Sequence, residues 1–97
     1  MFLKIHRSPE TGSIVAVCDR ELINTTIIDG DMEVHITNFF YGDCQTGEEV
    51  VREALLHADN ANIIGERAVA LAIKMGLVSR AGCIMIGTIP HAQIFRL

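Results

Sequence analysis

Residues 46–75 read TGEEVVREALLHADNANIIGERAVALAIKM, and this stretch contains the signals that decide the fold. In residues 46–58, apolar side chains recur at helical spacing after Thr46 and Glu49, which have the spacing of a capping box. Residues 65–75 are apolar on most sides of a helix and are followed by a glycine, which commonly ends helices. The stretch therefore predicts two consecutive helices, separated by a turn at the polar sequence DNAN.

The N-terminal segment predicts a β-hairpin. Two β-prone runs flank the sequence SPETG, in which proline and glycine favour a tight reversal. If Ser8 pairs with Ser13, Leu3 lies opposite Cys18, and the thiol is buried as a small hydrophobic group. Cys18 then has a structural role that needs no chemistry.

A second hairpin is predicted in the middle of the chain. Asp29 and Gly30 form a two-residue turn signal between residues 26–28 and 32–39. Apolar and polar residues alternate after this turn, which indicates a strand with one buried face. His35 falls on the polar side of the alternation and is expected to face solvent.

The C-terminal segment completes the predicted fold. Residues 83–86 and 92–97 read as two short strands joined by a loop at residues 87–91. The change of period along the chain, from two to about 3.6 and back, predicts a small α+β domain. Its expected architecture is a mainly antiparallel sheet of β-hairpins with two helices packed on it.

Composition sets limits on size and partners. A chain of 97 residues with 49% hydrophobic and 21% charged residues has the size of a single domain, here residues 1–97. Its net charge of −4 provides no long-range field for nucleic acid, which argues against tight nonspecific binding. Its mean hydropathy of +0.33 indicates more apolar surface than one small core can bury. We therefore expect weak homo-oligomerisation or an apolar contact with a partner.

The cysteines and the apolar runs indicate a cytoplasmic protein. No apolar segment of the sequence is long enough for a signal peptide or a membrane span. The cysteines, Cys18, Cys44 and Cys83, are an odd number at wide spacing, which fits reduced thiols better than a disulfide framework. Neither the thiols nor the histidines have the local spacing of a metal site, so we expect no metal and no cofactor.

Two polar segments are candidates for a functional site. In the predicted C-terminal loop, Pro90 restricts the chain so that His91 is held stiffly. The alternative is that His91 only bonds a backbone carbonyl at the end of the sheet. At residues 62–66 (NIIGE), a glycine beside a helix start leaves amide donors for a carboxylate or a phosphate. Glu66 can occupy these donors itself, as an acidic residue in the first helical turn.

Four short motifs connect the chain to a known family. They are VCD at residues 17–19, FYG at 40–42, NIIGE at 62–66 and PHAQ at 90–93. In their order and spacing the chain resembles the archaeal family catalogued as domain of unknown function 424, over nearly its whole length. The family has no established activity. The resemblance implies an archaeal cytoplasmic protein whose gene often lies beside translation genes, including that of the beta subunit of initiation factor two.

The motif positions define a candidate shared surface, to which the family assigns no role. Carried over residue by residue, they are Tyr41, Gly42, Asn62, Gly65, Glu66, Pro90, His91 and Gln93. Within this set, Asn62, Glu66, His91 and Gln93 place polar groups beside rigid or helix-starting residues. We expect these four side chains to lie at one end of the sheet and to contact a macromolecular partner.

Three functional hypotheses follow from these features. The first is a non-catalytic binding module, acting in or near archaeal translation through contacts with protein or RNA, because no persuasive catalytic set is present. The second is a small enzyme in which His91 and Glu66 act as acid and base. The third is a local nucleic-acid contact through Arg67, Lys74, Arg80 and Arg96. The partner expected under the first hypothesis is a protein or a ribonucleoprotein, and not a membrane.

Overall fold

A five-stranded mixed sheet forms the centre of the molecule. We describe a computed structural model, which covers residues 1–10 and 12–96. Numbered along the chain, the strands of this sheet in spatial order are β1 (Phe2–Ser8), β2 (Gly12–Cys18), β5 (Asn60–Ile64), β7 (Ile89–Phe95) and β6 (Ile84–Ile86). Neighbouring strands are antiparallel, except that β2 and β5 run parallel. The predicted α+β fold with a mainly antiparallel sheet is confirmed.

The two longer helices cover one face of this sheet. The helices of the described residues are α1 (Asn38–Tyr41), α2 (Glu48–Leu56) and α3 (Glu66–Lys74). Helices α2 and α3 form a buried core with the sheet, in which Val51, Leu55 and Val69 pack with Val17 and Ile63. The two predicted helices are confirmed with slightly shorter bounds. None of the helices in residues 1–10 and 12–96 is long and apolar enough to cross a membrane.

Helix α2 begins without the predicted capping box. Its N-cap is Gly47, which has no side chain to accept a hydrogen bond from the first turn. The hydroxyl of Thr46 instead donates to the backbone oxygen of Cys44, at 3.2 Å. The prediction was wrong because the helix starts one residue later than the box requires, so Thr46 lies outside it.

A small hairpin and helix α1 cover part of the opposite face. The hairpin consists of β3 (Thr25–Asp29) and β4 (Met32–Ile36). Ile36 and Tyr41 pack against Cys18 and Ile64 in a second buried cluster. His35 is exposed, as its place in the alternation predicts. The main sheet is therefore buried on both faces where this cluster lies.

The hairpin differs from its prediction at both ends. Asp29 pairs with Met32, so the turn consists of Gly30 and Asp31 rather than Asp29 and Gly30. After β4 the chain does not continue as a strand to residue 39. Thr37 caps helix α1 instead, because its hydroxyl accepts a hydrogen bond from the backbone N–H of a residue in the first turn.

The central strand β5 lies where the sequence DNAN predicts a turn, and that part of the prediction was wrong. Ala61 and Ile63 face the helices, and Ile64 faces the second cluster. Both edges of β5 are paired, with β2 on one side and β7 on the other. Ladder pairing and burial on two faces outweigh the preference of Asn60 and Asn62 for turns.

The register of the first hairpin is shifted by one residue from the predicted one. Ser8 pairs with Gly12, and Leu3 lies opposite Val17 rather than Cys18. Gly12 has φ +77°, so it takes a left-handed conformation at the start of β2 and shortens the reversal. Cys18 is nevertheless fully buried, as predicted, because it points to the face covered by α1 and the small hairpin.

The C-terminal strands are joined by a tighter turn than predicted. Ile86 pairs with Ile89, which leaves only Gly87 and Thr88 between β6 and β7. Gly87 has φ +63°, a conformation that a two-residue hairpin turn needs. His91 therefore lies within strand β7 and not in a loop, which corrects the predicted position.

A candidate binding cleft centred on Asn62

The centre of the candidate site is Asn62, on the middle strand β5. Its neighbours Ala61 and Ile63 point to the helices, so its side chain points to the opposite face of the sheet. Its Oδ1 accepts a hydrogen bond from the hydroxyl of Tyr41 at 2.7 Å and another from Nε2 of His91 at 3.1 Å. Two of the predicted site residues thus hold a third in one orientation.

With Oδ1 as the acceptor of both bonds, the NH₂ end of the Asn62 amide is the free one. Oδ1 has no hydrogen to give, so Nε2 of His91 carries the hydrogen and its Nδ1 is an acceptor. Nδ2 of Asn62 has no hydrogen-bond partner among the described residues. Because every buried side-chain nitrogen or oxygen in that part of the chain has a partner, this NH₂ group reaches solvent.

Burial keeps both donors to Asn62 uncharged at neutral pH. It raises the pKa of the Tyr41 hydroxyl, and it lowers the pKa of His91 below the usual 6.5. The network at pH 7 therefore consists of a phenol, an imidazole and an amide, all neutral. Such a set can orient a polar ligand without placing a charge against it.

Gly42 allows Tyr41 to reach the sheet. Gly42 ends helix α1 with φ +91°, and its N–H donates to the backbone oxygen of Asn38 at 2.8 Å. A Cβ at this position would lie 2.8 Å from the backbone oxygen of Leu3. Only glycine lets α1 approach β1 this closely. Gly42 thus contributes to the site through the position of Tyr41.

An open cleft of about 310 Å³ lies beside this network. Its lining residues are Ile14, Phe40, Asn60, Ala61, Asn62, Gln93 and Phe95. Amide side chains occupy the floor, where Gln93 lies opposite Asn62 in the strand register. Phenyl rings occupy the rim: Phe95 is 72% exposed, and Phe40 stacks on His6 with ring centroids 4.9 Å apart. The cleft therefore offers flat apolar surfaces around hydrogen-bonding groups.

Gly65 and Pro90 belong to a different place, the junction between β5 and helix α3. The N–H of Gly65 donates to the backbone oxygen of Pro90 at 3.0 Å. The buried carboxylate of Asp19 accepts hydrogen bonds from the N–H groups of Arg67, at 3.0 Å, and Ala68, at 2.8 Å. The Asp19 carboxylate thus occupies backbone N–H donors at the start of α3, for which the sequence predicts a ligand or Glu66 as the partner. Gly65 and Pro90 position α3 and do not line the cleft.

Glu66 and His91 have separate partners. The carboxylate of Glu66 lies 3.2 Å from the guanidinium of Arg80, and both side chains are largely exposed. Nε2 of His91 bonds Asn62, and the strand partner of His91 is Ile64. In the described residues no hydrogen bond joins Glu66 to His91, so the structure does not assemble them as an acid–base pair.

The arginines of the third hypothesis are also engaged. Arg67 lies 3.3 Å from a carboxylate oxygen of Glu21, and Arg80 contacts Glu66. Arg96 donates to the backbone oxygen of Leu56 at 2.9 Å. These arginines therefore do not form a common basic surface that is free for phosphate groups.

Several residues of the cleft and the junction are not among the site residues predicted from the sequence. Phe95 lies two residues beyond Gln93 in β7, so strand alternation alone indicates that both side chains share one face. Asp19 directly follows the apolar run of β2, where a strand end meets the start of a helix. Asn60 lies in the predicted turn DNAN, and Phe40 belongs to the motif FYG, from which only Tyr41 and Gly42 were included in the candidate surface.

The family model described as protein of unknown function (DUF424) matches residues 6–97. The chain belongs to this family. None of the curated proteins matches it in sequence.

One solved structure shares the fold of this DUF424 chain. It is the crystal structure of an uncharacterized conserved protein from Methanopyrus kandleri, with a TM-score of 0.77. The two sequences are 22% identical, and the match covers 99% of this chain and 92% of that one. At this level of identity, the similarity shows the fold alone.

Burial of His91 predicts a pH dependence for this DUF424 protein. The pKa of His91 in the folded state is below 6.5, so between these two values the unfolded chain binds more protons than the folded one. Stability contributed by neutral His91 is therefore lost as the pH falls below about 6.5, with a slope of at most about 1.4 kcal/mol per pH unit. Denaturant unfolding across this range measures the slope.

The matched variant for this measurement is His91→Gln, which keeps a donor for Asn62 and removes the titration. We expect a shallower loss of stability at acid pH in His91→Gln than in the wild type. Equal slopes in the two proteins would show that His91 titrates alike in the folded and unfolded chains.

Proposed function

We propose that this chain is a non-catalytic binding module that acts in or near archaeal translation and holds a protein or RNA partner at the cleft. The observation that carries the proposal is the Asn62 amide. Its oxygen is held by two donors, and its NH₂ group reaches solvent without a partner in the described residues. A hydrogen-bond donor that is free beside an open cleft favours recognition of a ligand.

The chemistry of the cleft favours binding over catalysis. His91 is neutral at pH 7, because burial lowers its pKa, and its bonded partner is an amide rather than a carboxylate. General acid–base catalysis needs titratable groups within reach of one substrate, whereas Glu66 contacts Arg80. Burial raises the pKa of the Cys18 thiol to about 12, so this buried thiol stays protonated and is a poor nucleophile.

The cellular context in this proposal comes from relatives. The similar solved structure comes from Methanopyrus kandleri, which supports an archaeal origin. The family resemblance implies a gene that lies beside translation genes. A protein or ribonucleoprotein of the cytoplasm is the partner class that this context favours.

The test is co-purification from an archaeal lysate with the tagged chain in three forms: wild type, Phe95→Ala and Val50→Ala. Phe95 is 72% exposed at the rim of the cleft, and Val50 is 56% exposed on α2, which covers the opposite face. Each change removes an exposed apolar side chain. We expect the wild type and Val50→Ala to recover ribosomal subunits or initiation factors. Phe95→Ala should recover at least about fivefold less of the same partners.

Other outcomes would contradict parts of the proposal. Equal recovery of the same partners by Phe95→Ala and Val50→Ala would place the contact outside the cleft. Recovery without any translation component would refute the role near translation. Turnover of a small substrate that is lost in both His91→Ala and Glu66→Ala would favour the enzyme hypothesis instead.

A further inference from the structure

The chemistry of the cleft points to one class of ligand. We propose that the cleft receives a single unstacked nucleobase of single-stranded RNA, with the base plane on the ring of Phe95 and a base carbonyl oxygen on Nδ2 of Asn62. This inference rests on the proposed binding function and names its ligand.

The size and the lining of the cleft suit one planar polar group. Its volume of about 310 Å³ is at the lower end of the range of about 300–1,000 Å³ for small-ligand sites. Phe40 and Phe95 supply flat apolar surfaces, and Asn60, Asn62 and Gln93 supply amides. Single-stranded RNA is recognised through the same combination, because unstacked bases stack on aromatic rings and hydrogen-bond along their edges.

The free donor adds direction to this match. Oδ1 of Asn62 is the atom that Tyr41 and His91 bond, so Nδ2 lies at the other end of the amide. A ligand at Nδ2 has to bring an acceptor to it. Uracil, cytosine and guanine carry carbonyl oxygens on their edges. Gln93, opposite Asn62, can donate or accept at a second point on the base.

An extended peptide fits this surface less well. Peptides that bind sheets usually add a strand to a free edge. The floor of the cleft is formed by the faces of strands β2, β5 and β7, and β2 and β5 are paired on both sides. The outer edge of β7 is paired with β6 only as far as His91, and this edge faces away from β5. A ligand on the floor itself therefore binds through side-chain contacts, which favours a group that both stacks and hydrogen-bonds.

Strand β1 can meet the sugar–phosphate backbone beside the base. Phe2 belongs to the cluster under α1, so Lys4 and His6 lie on the same face by strand alternation. Nζ of Lys4 bonds the backbone oxygen of Phe39 at 2.9 Å and keeps its positive charge near the cleft. With a net charge of −4, the chain gains affinity from the base contacts more than from phosphate contacts.

The experiment measures binding of fluorescein-labelled octauridylate to the full chain by fluorescence anisotropy at low salt. We expect Phe95→Ala to weaken binding roughly 5- to 150-fold, the range for loss of one stacking partner. Asn62→Asp should weaken it about tenfold or more, because a carboxylate repels the base carbonyl. Val50→Ala is the control and should change the dissociation constant less than about twofold.

Asn62→Asp has a second readout that reports on its fold. The new carboxylate still accepts hydrogen bonds from Tyr41 and His91, and its charge should raise the pKa of His91 in a proton NMR titration. A raised His91 pKa together with weakened binding assigns the loss to the missing donor. If octauridylate binds Asn62→Asp as tightly as the wild type, the base does not use this donor and the proposal is wrong.

The remaining outcomes separate this inference from the proposed function. One outcome is that octauridylate does not bind, while Phe95→Ala still loses a translation partner in co-purification. The proposal of a nucleobase ligand is then refuted, and the proposal of a binding module stands. If Phe95→Ala changes neither measurement, both proposals fail. NMR resonances of cleft residues that shift with an apolar peptide and not with RNA would identify a protein side chain as the ligand. They would refute the proposal of a nucleobase.

Discussion

Gly65→Ala is expected to lower the free energy of unfolding by about 2–6 kcal/mol, a large part of the roughly 5–15 kcal/mol of a typical domain. Gly65 has φ +114° and ψ 151°, a backbone conformation that is essentially restricted to glycine. A Cβ at this position would lie 2.3 Å from Cγ of the buried Asp19. Backbone strain of about 1–3 kcal/mol therefore adds to a steric clash of about 1–3 kcal/mol or more.

Chemical denaturation of Gly65→Ala and Gly30→Ala separates these two contributions. Gly30 has φ +62°, and a Cβ there would have no atom within 4 Å. Gly30→Ala is expected to lose only about 1–2 kcal/mol, for the left-handed conformation alone. Equal losses in the two variants would mean that the contact between Gly65 and Asp19 adds nothing.

Asp19→Ala is expected to lower stability by about 2–4 kcal/mol. Asp19 is 4% exposed, and its carboxylate accepts hydrogen bonds from the backbone N–H groups of Arg67 and Ala68, at the start of α3. Its removal leaves these donors without a partner in a buried place and takes a negative charge from the positive end of the helix. Thermal or denaturant unfolding measures the loss.

Asp29→Ala is the matched control for Asp19→Ala. The carboxylate of Asp29 also accepts a hydrogen bond from a backbone N–H, that of Gly87 at 2.9 Å, but in an exposed position. We expect its removal to lose less than about 1 kcal/mol, since water replaces the bond. A loss as large as that of Asp19→Ala would show that burial of the Asp19 carboxylate is unimportant.

The double variant Gly65→Ala with Asp19→Ala tests whether the two residues act as one unit. Asp19→Ala removes the atoms that the new Cβ would meet, so part of the clash disappears. The double variant should therefore lose less stability than the sum of the two single variants. Strict additivity would indicate that the clash is relieved by movement elsewhere.

Local signals in the sequence predict most of the elements, because they do not depend on distant contacts. The helical period after residue 47 and the glycine after Met75 are sufficient to place α2 and α3. The hairpin turns are found for the same reason, although their exact residues are shifted at Ser8 and Asp29. Each turn contains a single glycine, Gly12 or Gly30, which takes a left-handed conformation. The shift of one residue reflects the position that this glycine takes in the turn, and the sequence permits more than one position.

Strand β5 is the element that local signals do not predict. The run Asn60–Ile64 contains two asparagines, whose intrinsic preference is for turns and caps. Its strand conformation depends on pairing with β2 and β7, which are distant in sequence. Tyr41 and His91 then satisfy the polar side chain of Asn62, so the packed sheet tolerates it.

The candidate site is predicted in part for the same reason. Tyr41, Asn62, His91 and Gln93 meet at the cleft, as four members of the motif-based surface. The motifs NIIGE and PHAQ also contain residues of the junction with Asp19, and spacing along the chain does not separate the two roles. The position of His91 depends on the length of the last turn, which sets whether it belongs to a loop or to β7.

The place of β5 in the sheet also determines the order in which the chain can assemble. Hairpins β1–β2 and β6–β7 close through short turns, whereas β5 pairs across long sequence separations, such as Ile14 with Asn60. Closure of the longer loops is slower, so we expect β5 to join two hairpins that form early, each with an open edge. Open edges can pair with other chains. The strand that closes them carries two asparagines, residues that sheets disfavour, so β5 itself is a poor template for aggregation.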